Sequence, residues 1–451
     1  MISKKVALEV LNLATATGAD FAEIYLEETK STNLSLDNGK VEACQDSITY
    51  GAGIRLLKDL QSVYGYTNDL SLKGLSKLAS DLACSFHSER CVSVNSIKKI
   101  KQGKLNQIKI PVSTYPKKDL VKMLTDANDA CKNIDPRIVR CMINFMSSEK
   151  EITIFNSTGK QFTDSHSRAR AYIIAVAASE KGMEYFLEEV SLVDEAKEAA
   201  KVALTMLDAV ECPSGKMPVI IGNAFGGVIF HEACGHSLEA TSVAKGLSVF
   251  SGKKGTKIAS DIVSAVDDGT IDGGWGSGNI DDEGNKTQRN VLIKNGVLTS
   301  YLVDDFNGRR MGEKGNGATR RESYKFEPTS RMSNTFILPG KSTKEEIIAA
   351  TKFGLYAKSM GGGSVNPATG EFNFAVNEGY IIKDGKIAYP VKGATLIGSG
   401  KDTLLKIDMV GNDLLRAQGM CGSSSGSIPA DVGEPTIRVS EMTVGGRGGA
   451  I

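Results

Sequence analysis

Apolar residues recur at three- and four-residue intervals across residues 3–17, SKKVALEVLNLATAT, so the chain opens on an amphipathic helix. FAEIYLEE, TNLSLDNGKVEACQDSITYGAGIRLLKD and LQSVYGYTND read as strands joined by short turns, with DNGK and the Gly51–Gly53 pair supplying turn and bulge signals. Asp69 or Ser71 caps a helix over 72–84, and a second helix fits 117–132, ahead of Pro136. Strand-like runs follow in IVRCMINFMSSEKEITIFNSTGKQF and RARAYIIAVAAS, then a strong helix pattern over 193–209. ECPSGKMP, residues 211–218, carries two prolines and a glycine and reads as a joint. Beyond it PVIIGN reads as a strand and AFGGVIFHEACGH as a helix. Short strands between glycine turns then run to the end, in VLIKNGVLTSYLVDD, NTFILPG, FAVNEGYIIKDGKIAYPVKGATLIG and TIRVSEMTVGG. NGRRMGEKGNGATRRESY, 307–324, reads as a long polar loop, mobile without a ligand. The pattern predicts an α+β fold. An N-terminal antiparallel sheet with helices spans 1–212, and a β-rich C-terminal domain spans 213–451.

Composition narrows the class. The 451 residues suffice for two or three domains, and 54 basic against 53 acidic residues give no electrostatic footprint for nucleic acid or an anionic membrane. No apolar block has the length of a bilayer span or the form of a signal peptide, so the expected address is the cytoplasm. Eight scattered cysteines make no disulfide framework in a chain this long, and most are expected to be buried small apolar residues. The 48 glycines concentrate after about residue 220, which predicts many tight turns there.

Candidate chemistry sits in GVIFHEACGHSLEA. His231 and His236 are two of only four histidines, and a five-residue spacing arises by chance with odds of roughly 0.03 over their six pairs. On a regular helix such residues lie about 140° apart with an axial offset of about 7.5 Å, so their rings diverge. A single π-turn within 231–236 would bring them to one side with Glu232 adjacent, as in the HExxH zinc helix. Gly235 and the Gly226–Gly227 pair would tolerate that deformation. A catalytic zinc site takes three protein ligands and an open position. Candidates for the third are Cys234, Glu239 and Cys421. Cys234 lies too close in sequence to close a tetrahedron easily, and Glu239 suits either a ligand or a partner behind His236. Cys421 lies in GMCGSSSGS, which reads as a glycine-flanked turn that projects a side chain into a cleft. GSGKDT, 398–403, lacks the first glycine and the Ser/Thr of a phosphate loop, which sets nucleotide binding aside.

From GGVIFHEACGHSLEA onward the chain resembles the TldD branch of the TldD/PmbA metallopeptidases. The likeness runs through DDGTIDGGWGSGNIDDEG, TQRNVLIKNGVL, RRESY, RMSNTFILPG, GLYAKSMGGGSVNPATGEFNFAVNEGYII, PVKGATLIG and MVGNDL to GMCGSSSGSIPADVGEPTIRVSEMTVGG. It covers essentially all of 213–446 in order. The N-terminal half is similar more loosely, chiefly in SITYGAGIRLLKD followed by a helix. The resemblance implies that His231, His236 and Cys421 bind Zn2+ and that Glu232 is the catalytic base. The family's other branch lacks the HExxxH motif, so the resemblance points to the catalytic subunit. The loop after the cysteine, SSSGSIPADVGEP, departs from the Lys/Asp/Gly/Gln-type turn of many relatives, which bears on substrate preference.

The implied activity is zinc-dependent hydrolysis of extended or unfolded peptides, for peptide maturation or protein turnover. Arg320, Arg321 and Tyr324 in TRRESY are candidates to stabilise the anionic intermediate or contact substrate. The implied assembly is a homodimer, or a heterodimer with a TldE/PmbA-like sister subunit. The alternative is a non-catalytic peptide-binding or regulatory subunit, with a structural zinc or no metal; family members have been labelled modulators of DNA gyrase.

Overall fold

The computed structural model describes residues 2–108, 110–179, 182–189, 192–366 and 369–451. Six strands of the first half are β1 (Phe21–Asp37), β2 (Lys40–Lys58), β3 (Gln61–Thr67), β4 (Ile138–Asn156), β5 (Lys160–Ser179) and β6 (Gly182–Glu189). They form one antiparallel sheet in the order β3-β2-β1-β4-β5, with β6 and the short strand Lys98–Lys99 both on β5. Helices Lys4–Ala14 and Leu72–Ala83 cover one half of a face, where Ile24, Leu26 and Leu56 are buried. Helices Lys117–Lys132 and Leu192–Leu207 cover the other half, over Leu34, Leu36 and Ile143. Ser3 and Ser71 cap the first two helices by accepting from Val6 N and Gly74 N.

Ala22, Ile24 and Leu26 of β1 thus face the first pair of helices, and Leu34 and Leu36 the second. Glu23, Tyr25 and Glu27 face the second half of the chain and are buried against it, while odd positions further along β1 are half-buried or exposed. Glu23 is fully buried, and Arg55 Nη2 and Arg321 Nη2 donate to its two oxygens at 3.1 and 2.7 Å. Glu27 accepts from the backbone N–H of Tyr324 at 2.9 Å. These carboxylates are buried because Arg55 on the neighbouring strand, and Arg321 and the Tyr324 N–H from across the interface, reach them.

Gly51 and Gly53 differ from expectation. They lie in regular register opposite Glu27 and Tyr25, and the bulge of this pair falls at Ser35/Leu36. Space is their role. A Cβ on Gly51 would lie 2.3 Å from the Tyr324 ring, and one on Gly53 would lie 1.9 Å from Tyr64 Oη.

The second half contributes β7 (Gly215–Ile221), β8 (Ala265–Asp268), β9 (Arg289–Lys294), β10 (Asn334–Ile337), β11 (Phe353–Val365), β12 (Glu371–Lys383), β13 (Thr395–Ser399), β14 (Leu415–Ser423), β15 (Gly426–Glu434) and β16 (Ile437–Gly445). Strands β11-β7-β16-β13-β12 close into a ring, because β11 also pairs with β12. A second sheet runs β9-β8-β10-β15-β14, with β14 at its edge. One hydrophobic core joins ring, sheet and the segment 228–243, from Val219 and Phe230 to Phe374 and Ile428.

The tract 307–324 is more ordered than a polar loop. Asp304 caps a helix over Asp305–Met311, Thr319–Arg320 pairs with Thr329–Ser330, and Arg321 and Tyr324 are buried. Among the described residues, no helix is long and apolar enough to cross a membrane.

Candidate metal centre

The histidine segment changes its winding. Ala224–Gly227 is a 3-10 turn, Val228–Phe230 is α-helical, His231–Gly235 is a π-turn and His236–Leu238 returns to 3-10. The backbone N–H of His236 bonds to the carbonyl of His231, the five-residue link that defines the widened turn. The extra residue brings the two rings together, with centroids 5.2 Å apart and planes at 90°. Gly235 is needed here for a reason other than backbone freedom. Its φ of −54° and ψ of −55° are ordinary helical values, but a Cβ would lie 2.1 Å from Met332 Sδ.

Cys421 arrives from the far end of the chain. It sits within strand β14, paired with Ile428 of β15, and so not in the turn its glycine neighbours suggest. Its Sγ lies 3.2 Å from His231 Nε2 and 3.3 Å from His236 Nε2. Glu239 Oε1 stands 3.2 Å from His236 Nδ1, on the other side of that ring. Glu232 Oε2 is 3.7 Å from His236 Nε2, and its side chain is 27% exposed against 11% for His236. His231 is buried, and its Nδ1 has no hydrogen-bond partner among the described residues. Burial alone would raise the Cys421 thiol, but the adjoining imidazoles of His231 and His236 overcome it and hold the thiol down to about 3. Burial opposes a charge on His236 as well, yet Glu239 and Cys421 push its pKa well above the ordinary value. Burial pushes the Cys234 thiol up, and that side chain is fully enclosed in the core.

The donor set fits a metal ion. The ligand atoms of His231, His236 and Cys421 all lie within 4.8 Å of one another. In a tetrahedral zinc site with ordinary bond lengths, nitrogen and sulfur ligand atoms are separated by roughly 3.5 Å, close to the two separations seen here.

Arg320, Arg321 and Tyr324 each have partners of their own, and Arg320 lies near enough to Cys421 to feel its charge. Arg320 donates to the carbonyls of Gly276, Met332 and Pro429 at 3.2, 3.2 and 3.0 Å. Arg321 binds Glu23 and the carbonyl of Asp282, each at 2.7 Å, and stacks over the Tyr25 ring at 4.2 Å. Tyr324 packs with Tyr25, Ile152 and Ile154. None of the three has a hydrogen bond or ion pair to His231, His236 or Cys421 among the described residues. Sequence patterning does not mark Arg331, a fully buried guanidinium that reaches the carbonyl of Cys421. Its one sequence signal is a charge at the head of the otherwise uncharged run RMSNTFILPG.

Three family models match in chain order. They describe PmbA/TldA metallopeptidase domain 1 over residues 22–83, the central domain over 110–207 and the C-terminal domain over 214–446. A metalloprotease TldD homolog of Haemophilus influenzae is 34% identical over 478 residues, covering 99% of this chain and 97% of that protein. One from Buchnera aphidicola is 33% identical over 453 residues, covering 95% of this chain and 93% of its own length. The crystal structure of TldE from Thermococcus kodakarensis superposes with a TM-score of 0.75 at 17% identity, over 97% of this chain and 99% of that one. This chain belongs to the TldD/PmbA family of metallopeptidases.

Proposed function

We propose that this protein is a zinc-dependent peptidase acting on extended or unfolded peptides, with His231, His236 and Cys421 as metal ligands and Glu232 as general base. The observation that carries the reading is the convergence of two imidazoles and a thiol within 4.8 Å, beside a carboxylate four positions from one of the histidines. A bound zinc ion supplies a positive centre that acidifies water and polarises a peptide carbonyl. Glu232 accepts the proton of the attacking water and returns it to the departing amine, for which its partial exposure suits it. Glu239 holds the His236 ring from behind, at Nδ1, leaving Nε2 for the metal.

A cleft of about 850 Å³ is bordered by Phe225, Trp275, Met360, Gly362 and Met420; it reaches strand β14 one residue from Cys421, but its walls include none of His231, Glu232, His236 and Cys421. Strand β14 stands at the edge of its sheet. Both features suit a substrate that lies extended and adds as a strand, with main-chain bonds carrying the affinity and side chains little selected. The reading places the protein in the cytoplasm, working in peptide maturation or protein turnover. It assembles as a homodimer or with a TldE/PmbA-like sister subunit, whose fold this chain shares.

The test is cleavage of an unstructured peptide by zinc-loaded protein, alone and with the sister subunit, beside Glu232→Gln. The expected result is a loss of 10²–10⁴-fold in turnover with the metal content unchanged. Unaltered function of the Glu232→Gln protein would instead mark a binding or regulatory subunit.

A further inference from the structure

We infer that Arg331 is a positioning residue of the metal centre, a single buried guanidinium that holds the cysteine hairpin and the histidine segment in register. The inference rests on the metal-site reading above and adds to it the device that brings together ligands 185 and 190 positions apart.

Three successive residues meet the histidine segment. Ser330 Oγ accepts from the backbone N–H of Thr241 at 2.8 Å. Arg331 Nε lies 3.7 Å from Glu239 Oε1, the same oxygen that stands 3.2 Å from His236 Nδ1. Met332 Sδ occupies the space left by the missing Cβ of Gly235. On its other side Arg331 grips the hairpin β14–β15. Nη1 donates to Ser425 Oγ and to the carbonyl of Gly426, both at 2.9 Å, and Nη2 donates to the carbonyl of Cys421. Arg331 thus hydrogen-bonds one ligand's own backbone and stands at ion-pair distance, without a hydrogen bond, from the carboxylate behind another.

The residue type matters. Arg331 has no exposed surface, and an apolar side chain would fill such a site at lower desolvation cost. Glu239 is the carboxylate within ion-pair reach of it among the described residues. A guanidinium presents five donors in a fixed plane and can serve two sides at once; a lysine ammonium is a point charge that reaches one. The hydrogen bonds to the hairpin tip set where the Cys421 backbone lies, and hence where its Sγ meets the two Nε2 atoms.

The experiment compares zinc affinity, by chelator competition, of the full-length wild type with Arg331→Lys and Glu239→Gln, and records the absorption of each protein saturated with Co2+. Arg331→Lys is expected to weaken zinc binding 10–100-fold and to shift the cobalt–thiolate band at saturation. A merely structural residue would leave that band unmoved in the folded protein. Glu239→Gln keeps the side-chain volume and is expected to weaken zinc binding in the same range. If Arg331→Lys does not fold, Ser425→Ala decides the matter: it removes an acceptor of Arg331 on the hairpin, touches neither histidine, and is expected to shift the same cobalt band. Zinc affinity within twofold of wild type and an unshifted cobalt band in the folded variants would overturn the role of Arg331 and leave the metal centre standing. Failure of the wild type to bind any divalent metal would remove the metal centre, and this role with it.

Discussion

The Cys421 thiol touches the His231 ring, Sγ to Nε2 at 3.2 Å, although 190 positions separate them. Only the folded chain assembles this donor set, so metal binding and folding are linked. One divalent ion per chain is expected, and at a free metal concentration 100 times Kd it adds about 2.7 kcal/mol of stability. Metal analysis and thermal unfolding with and without chelator check this. His231→Ala and Cys421→Ala are expected to lose the ion and the chelator-sensitive part of the melt. Cys234→Ala is expected to keep both, at the cost of a small core cavity.

The thiol and the imidazole give the metal-free protein opposite pH signatures. Cys421 has its pKa lowered to about 3 from 9.0. The stability it contributes is present above pH 9.0 and is lost as pH falls toward 3. His236 has its pKa raised above 6.5, so its contribution is complete below pH 6.5 and is lost as pH rises through the folded value. Denaturant unfolding in chelator reads each as a difference from a variant. The wild-type advantage over Cys421→Ala should grow with pH between about 3 and 9, while that over His236→Ala should shrink above about 6.5. Two differences sloping the same way would contradict the thiolate–imidazolium arrangement.

What the sequence discloses depends on whether the cause is local. The helix at Leu72–Ala83 follows from periodicity and its Ser71 cap, and that at Lys117–Lys132 from periodicity, all within a few residues of themselves. The five-residue histidine spacing announces the π-turn for the same reason. Cys421 lies in a strand because Ile428 pairs with it, and the glycines around it suggest a turn instead. The glycines at 51 and 53 look like bulge signals, yet Gly51 answers to the ring of Tyr324, more than 250 positions away, and Gly53 to the hydroxyl of Tyr64 on the next strand. Glu23 and Arg331 read as strand polarity and loop charge; their burial is decided by partners on distant segments.

Tyr324 sits in the space over Gly51, which gives a steric prediction. Gly51→Ala places a methyl 2.3 Å from the ring, and overpacking of this kind costs typically 1–3 kcal/mol. In a Tyr324→Ala background the same substitution should cost well under 1 kcal/mol, because the clashing atoms are gone. A double-mutant cycle by denaturant unfolding measures the difference. Additive costs would show that the two residues do not meet.

The buried ion cluster between the halves should behave unlike the surface pairs. Arg55 Nη2 bridges Glu23 at 3.1 Å and Glu283 at 2.5 Å, while Arg321 reaches Glu23 at 2.7 Å, and the side chains of all four are essentially unexposed. Arg55→Met takes the arginine from Glu283, which keeps Thr319 Oγ1 and the Asp305 N–H, while Glu23 keeps Arg321; Arg321→Met leaves both carboxylates paired with Arg55. Removing one member of a buried pair costs about 3–5 kcal/mol, so Arg55→Met should lie in that range and Arg321→Met below it. Salt screens exposed charges over roughly 10 Å at 0.1 M but hardly reaches a dry interior. The cost of Arg55→Met should therefore persist in 1 M NaCl, while that of Lys77→Ala, which removes an exposed pair with Asp81, should be small and vanish there. Equal salt sensitivity for the two substitutions would mean that water reaches the cluster and that the halves are not sealed at this point.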